Sequence, residues 1–225
     1  YRAKGKNPFV GEDARQPTIG QLLLMGKADL QRRVLENPRI EIYACGRRDI
    51  RAGRIDRRVL ATLEFLAASG LRPTVTSLEC GHSTYTTSGN VSHHASGNAV
   101  DIAKINGIPI AGNQGKDSIT DITIRRLLTL QGTMKPAQII SLMSYEGADN
   151  TLAMADHDDH IHIGFTPYAD TNSRRARDLG TMLEPRQWTR LIERLGEIDN
   201  PTVLPRPSKH AIPVEKRASR AHRGE

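Results

Sequence analysis

Two short segments, Ala99-Val100-Asp101-Ile102-Ala103 and His160-Ile161-His162-Ile163-Gly164-Phe165, alternate residue by residue between two chemistries. A period of two is the geometry of a strand, in which successive side chains point to opposite faces. In the first segment Ala99, Asp101 and Ala103 share one face, while Val100 and Ile102 share the other. In the second, His160, His162 and Gly164 face one way and Ile161, Ile163 and Phe165 the other. Each strand therefore has an apolar side for a core and a side carrying ionisable groups beside small residues. If the two strands pair, Asp101 and His162 converge on one point, and His94 reaches it from the loop before the first strand.

That convergence gives a reason for a marked clustering. Of the eight histidines in the chain, His93, His94, His157, His160 and His162 lie in or beside the two segments, and His82 lies just before them. Two imidazoles and a carboxylate with an open fourth position form a catalytic zinc arrangement. His93 adjoins His94 but has the wrong spacing to Asp101, and is expected to be exposed. His157 and His82 are weaker candidates still. Ala99, Ala103 and Gly164 are expected to leave room for a ligand beside the cluster.

The rest of the chain supplies a scaffold. Apolar residues from Thr18 to Glu36 predict a helix weakened by Gly20 and Gly26 and ended by Asn37-Pro38. Ile40 to Cys45 reads as a short strand, and about Asp56 to Ser69 as a strong helix stopped by Gly70. Thr74 to Glu79 predicts a second strand. Gly81 to Gly97, almost wholly Ser, Thr, Gly, Asn and His, is too polar for a core and reads as a site-lining loop. A strand follows from Asn98 to Ile105, turned by Asn106-Gly107 into Ile108-Pro109-Ile110. Ile119 to Leu130 reads as a helix, Gln138 to Met143 and His160 to Phe165 as strands, and about Pro185 to Leu195 as a last helix. Strands and helices mix without strict alternation, so the expected class is α+β, with a mainly antiparallel central sheet flanked by helices. The divisions are an irregular lead-in over 1–17, one domain over 18–200 and a basic, Pro-rich, disordered tail over 201–225.

Charge narrows the partners. Of the net charge of +7, the last 25 residues hold +4, from six Lys or Arg against two Glu. Such a tail suits an anionic polymer, or serves as a solvated linker to a further part of a larger chain or assembly. Nucleic acid is not expected, because none of the nine aromatic residues is interleaved with the basic ones to make a stacking platform. No apolar run approaches the roughly 20 residues of a spanning helix. Tyr1 is expected to follow a processing boundary, with any export signal upstream.

Cys45 and Cys80 each close an apolar, β-type run. If those runs are neighbours, a disulfide is geometrically reasonable, stabilises by about 3–4 kcal/mol and implies an oxidising compartment. The alternative is two buried thiols.

The spacing Ser92-x-His94-x-x-Gly97-x-Ala99-x-Asp101, followed by His160-x-His162, resembles the signature of the D-alanyl-D-alanine zinc metallopeptidases. That group shares its fold with the hedgehog signalling domain and the lysostaphin-type endopeptidases. The resemblance spans the ligand strands, and the pattern from roughly 40 to 165 is compatible with the fold. It implies a Zn2+ cofactor held by His94, Asp101 and His162, and a general base three positions before the last ligand, at Asp159. Simple alternation points Asp159 away from the metal, so a bend at the strand start is required. Ser92 is implied as a residue that hydrogen-bonds or positions substrate, and His160 as a contact either to a zinc ligand or to the transition state.

One departure bears on specificity. Members that trim terminal D-Ala carry an Arg near the end of the strand before the Ser-rich loop, where this chain has Glu79-Cys80-Gly81-His82-Ser83. His82 replaces that Arg only in part, lacking its bidentate fork and permanent charge. The resemblance thus implies an extracytoplasmic zinc peptidase, in the endopeptidase mode, acting on peptidoglycan peptides that contain D-amino acids. The basic tail would reach anionic wall polymers. A D-Ala-D-Ala carboxypeptidase or dipeptidase, or a non-catalytic wall-binding module on the same fold, are the alternatives.

Overall fold

A computed structural model describes residues 18–85 and 91–167, together with the backbone of residues 202–203. The expected lead-in over 1–17, the helix near 185–195 and nearly all of the tail lie outside the described residues.

The first helical stretch is two helices, α1 (Ile19–Leu24) and α2 (Lys27–Glu36). Thr18 starts α1 with a capping box, its hydroxyl accepting from the Gln21 amide. The break falls at Met25 and Gly26, both extended, and Gly26 caps α2. Central to the core is α4 (Arg57–Ala68), capped by Asp56, buried along almost its whole length and packed against α1, α2 and α5 (Ile119–Leu127).

The predicted strand at Ile40 to Cys45 needs correction. Only Glu41–Ile42 pair, as β1, and Cys45 belongs to a helix, α3 (Ala44–Arg51). Gly46, Asp49 and Ile50 are buried on one face of α3, a helical spacing that the preceding apolar run obscured. The disulfide nevertheless forms: Cys45 and Cys80 are bonded, with their Cα atoms 6.2 Å apart. It joins α3 to the segment after β2 (Pro73–Ser77), rather than two strand ends.

The sheet runs β1-β2-β3-β8-β5-β7, with β4 (Ile108–Pro109) returning against β3 (Ala99–Ile105). The remaining members are β5 (Gln138–Ser141), β7 (Thr151–Ala153) and β8 (Ile161–Gly164). It is mixed: β1 with β2 and β5 with β7 are parallel, and the other four pairings are antiparallel. The class is therefore α+β. Asn106 and Gly107 take the left-handed conformations, φ 55° and 79°, that their hairpin demands. The run expected from Gln138 to Met143 ends at Ser141; Met143–Ser144 form a separate strand, β6. β6 pairs with β9 (Thr202–Val203) in a small second sheet.

The β3–β8 register places Ala99 opposite Gly164, Val100 opposite Ile163, Asp101 opposite His162 and Ile102 opposite Ile161. Val100, Ile102, Ile161 and Ile163 join the core, in which α4 is also buried. The opposite face of the same two central strands carries the ionisable residues.

Candidate metal centre

Each ligand-type residue has a local cause for its position. Ser92 starts a 3₁₀ turn over His93–Ser96, its hydroxyl accepting the His94 amide N–H at 3.2 Å. Gly97 ends the turn in the left-handed conformation, φ 68°. A Cβ there would sit 2.1 Å from the Arg54 carbonyl oxygen. Glycine is thus required twice over at that point, by its φ and by the close approach. The chain then enters β3, which carries Asp101 to its place opposite His162.

His94 Nε2, Asp101 Oδ1 and His162 Nδ1 come together as a triangle. Its sides are 3.2 Å from His94 to Asp101, 3.2 Å from His94 to His162 and 2.9 Å from His162 to Asp101. All three residues are buried. His94 Nδ1 donates to the Leu78 carbonyl at 2.5 Å, so a neutral His94 turns a bare Nε2 towards the triangle. Burial drives the His162 pKa down to about 3, against the opposing pull of Asp101, so this ring is neutral. Burial works against the Asp101 charge, but His94, His160 and the His162 hydrogen bond outweigh it and hold the carboxyl well below its usual range. An ionised carboxylate and a neutral imidazole thus stand beside His94 Nε2.

A divalent cation fits such a donor set. Ligand bonds of about 2.0–2.1 Å in a tetrahedron correspond to ligand–ligand distances of about 3.3 Å, close to the sides observed. The Leu78 carbonyl supplies the outer hydrogen bond that orients a metal-ligating imidazole.

His160 lies at the rim, with Nε2 3.9 Å from Asp101 Oδ1 and Nδ1 2.7 Å from Asp159 Oδ1. Burial disfavours a charge on His160, yet the Asp101 and Asp159 carboxylates outweigh it and raise its pKa above the ordinary imidazole value. A 3₁₀ turn over Ala155–His157, continued by Asp158, bends the chain before β8. Across this bend Asp159 meets the ring of its own neighbour, His160.

The other histidines divide. The His82 ring stacks on His94 with centroids 4.1 Å apart and planes within 10°. His82 is exposed, Ser92 is buried beside it, and His82 Nδ1 lies 3.4 Å from Ser92 Oγ. His82, His94 and Asp101 each offer a ligand atom within 4.8 Å of the others. His157 is buried, with Nδ1 2.8 Å from Asp156 Oδ1 and its ring 4.7 Å from that of His160. His93, expected to be exposed, is half-buried with Nδ1 3.2 Å from the Gln138 side-chain amide. The room left by Gly164 is filled by these two side chains: a Cβ there would lie 2.6 Å from His93 Nδ1 and 2.9 Å from Gln138 Cγ.

Two glutamines were not legible as site residues. Gln138, which starts β5, also has its amide 3.0 Å from His162 Nε2. The Gln114 amide nitrogen donates to the carbonyls of His157 at 3.0 Å and Asp158 at 2.9 Å, and its oxygen accepts from the Leu142 N–H at 2.7 Å. Gln114 thereby braces the bend that sets Asp159 and His160. Neither stands in a pattern that spacing could reveal, because both act through contacts remote in sequence.

Comparison with family models, curated proteins and solved structures finds no match to this chain. The described residues hold a disulfide and no helix long and apolar enough to cross a membrane.

Proposed function

We propose that the chain is a zinc-dependent peptidase that hydrolyses D-amino-acid-containing peptides of bacterial peptidoglycan, acting as an endopeptidase outside the cytoplasm. The observation that carries the reading is the buried triangle of His94, Asp101 and His162, beside an Asp159–His160 pair. The signature-like spacing of Ser92, His94, Gly97, Ala99, Asp101, His160 and His162 directs it to this substrate class.

His94, Asp101 and His162 would hold Zn2+, which supplies a Lewis acid and makes water a nucleophile near neutral pH. Asp159 accepts the Nδ1–H of His160 and so leaves Nε2 free to take a proton on the side of the triangle. His160 Nε2, 3.9 Å from Asp101 Oδ1, is placed to receive the proton of the attacking water and pass it to the leaving amine. In this scheme Asp159 exerts its basic role through the imidazole. The protonated ring then faces the negative charge that develops on the substrate oxygen. Ser92 and His82 flank His94, with exposed His82 offered to the substrate.

His82, stacked on His94, lacks the bidentate fork and permanent charge of an arginine that would hold a terminal carboxylate, which favours the endopeptidase mode over D-Ala-D-Ala carboxypeptidase or dipeptidase activity.

The test is mass spectrometry of purified peptidoglycan after incubation with the protein, with and without a chelator that zinc later reverses. Chelator-sensitive fragments identify the bond cut. Stoichiometric zinc with no fragment rejects the peptidase in favour of a non-catalytic wall-binding module.

A further inference from the structure

One side chain outside the ligand set touches the segments bearing two of the ligands. The Gln138 amide lies 3.0 Å from His162 Nε2 and 3.2 Å from Nδ1 of His93, the residue preceding His94. The sheet builds this contact. Gln138 and Ala99 are both register partners of Gly164, on opposite sides of β8, so Gln138 stands two register positions along the sheet from His162, on the same face. The absent side chain of Gly164 is what lets Gln138 and His93 meet there.

The chemistry of the contact is directional. His162 has one proton to divide between two nitrogens while it is neutral, and its Nδ1 belongs to the triangle. To offer a lone pair from Nδ1 to a cation, the ring must carry its proton on Nε2, the nitrogen facing Gln138. An amide can serve either tautomer: its NH2 group donates to a bare nitrogen, and its carbonyl accepts from an N–H. When Nδ1–H donates to Asp101, the NH2 end of Gln138 satisfies Nε2; when Nδ1 is bare, the carbonyl end does.

We infer that Gln138 is a positioning residue for the metal centre, whose side-chain amide sets the orientation and tautomer of His162. The inference rests on the metal reading of the triangle but needs no turnover. Replacing Gln138 by Leu keeps a similar size and removes both polar ends, leaving Nε2 with no bond from this side. Replacing it by Glu keeps an acceptor oxygen and removes the NH2 donor, so that the carboxylate selects the Nε2–H form, the form able to ligate.

The experiment is a zinc competition titration against a chromophoric chelator on the wild type, Gln138→Leu and Gln138→Glu, with circular dichroism to show that each is folded. Gln138→Leu is expected to bind zinc about 10- to 100-fold more weakly, and Gln138→Glu at least as tightly as the wild type. Equal affinity in wild type and Gln138→Leu, or equal weakening in folded Leu and Glu variants, overturns the inference. If Gln138→Leu fails to fold, the Glu variant decides: binding weaker than the wild type overturns the positioning role. A wild type that binds no zinc sinks the metal reading itself, and is thereby distinguishable.

Discussion

Asp101 and His162 are direct register partners across β3 and β8, and their side chains meet at 2.9 Å on the face turned away from the core. Cross-strand partners on one face lie close enough for their side chains to interact, so the pairing of two strands is enough to bring a carboxylate to an imidazole. The same register sends Val100 and Ile163 into the core as partners. Site and core are thus fixed by one set of ladder hydrogen bonds.

Removing one corner of the triangle should abolish tight metal binding. Asp101→Asn and His162→Ala are expected to lower zinc affinity by more than about 100-fold, beyond what outer partners of a metal site typically contribute. Metal analysis after gel filtration reads this directly. Full zinc occupancy in either variant would remove that residue from the ligand set.

The Asp159–His160 pair should separate chemistry from metal binding. Asp159→Ala and His160→Ala are each expected to retain zinc while turnover falls by about 100- to 10,000-fold. Normal peptidoglycan cleavage by Asp159→Ala would eliminate its proton-handling role.

Gly97→Ala should be among the most costly small substitutions in the described chain. It forces a left-handed φ on a residue with a Cβ and drives that Cβ into the Arg54 carbonyl, at about 1–3 kcal/mol or more. Chemical denaturation of the variant measures the loss, and wild-type stability would contradict the close approach.

Opening the Cys45–Cys80 bond should weaken the fold by about 3–4 kcal/mol, from the restored freedom of the 35-residue separation. The Cys45→Ser/Cys80→Ser pair, compared with the wild type in urea, reports it. A midpoint unaffected by the double substitution would show that Tyr43 and Asp49, which also hold the Cys80 backbone, suffice.

Alkaline pH offers a test remote from the triangle. Burial raises the phenol pKa values of Tyr43 and Tyr145 well above the ordinary 10.0, and Tyr145 also donates to Asp121 at 2.7 Å. Folding therefore favours the neutral phenols. This stabilisation is complete below pH 10 and declines as pH rises above it, because the unfolded chain ionises first. Melting temperature should fall above pH 10, and ultraviolet titration should show two phenols that ionise only on unfolding. Normal titration of both would refute the linkage.

The sequence by itself determined the alternation of β3 and β8, the break between polar loop and β3, the Asn106-Gly107 hairpin and the extent of α4. Each follows from local rules: a period of two, a positive φ, a cap such as Asp56. Those rules also grouped His94, Asp101 and His162. What they could not supply was anything depending on which remote surfaces meet. The short run at Ile40 to Cys45 looked like a strand because β-type residues head it, whereas packing took Gly46, Asp49 and Ile50 as a helix face. His93 looked exposed because its spacing to Asp101 does not suit a ligand, and Gly164 looked like space for a ligand. Tertiary structure decided both by bringing Gln138 of a neighbouring strand over Gly164 to meet His93. Gln114 belongs to the same class: a side-chain amide satisfies backbone carbonyls some 40 positions away, and no local pattern records a partner so distant in the chain.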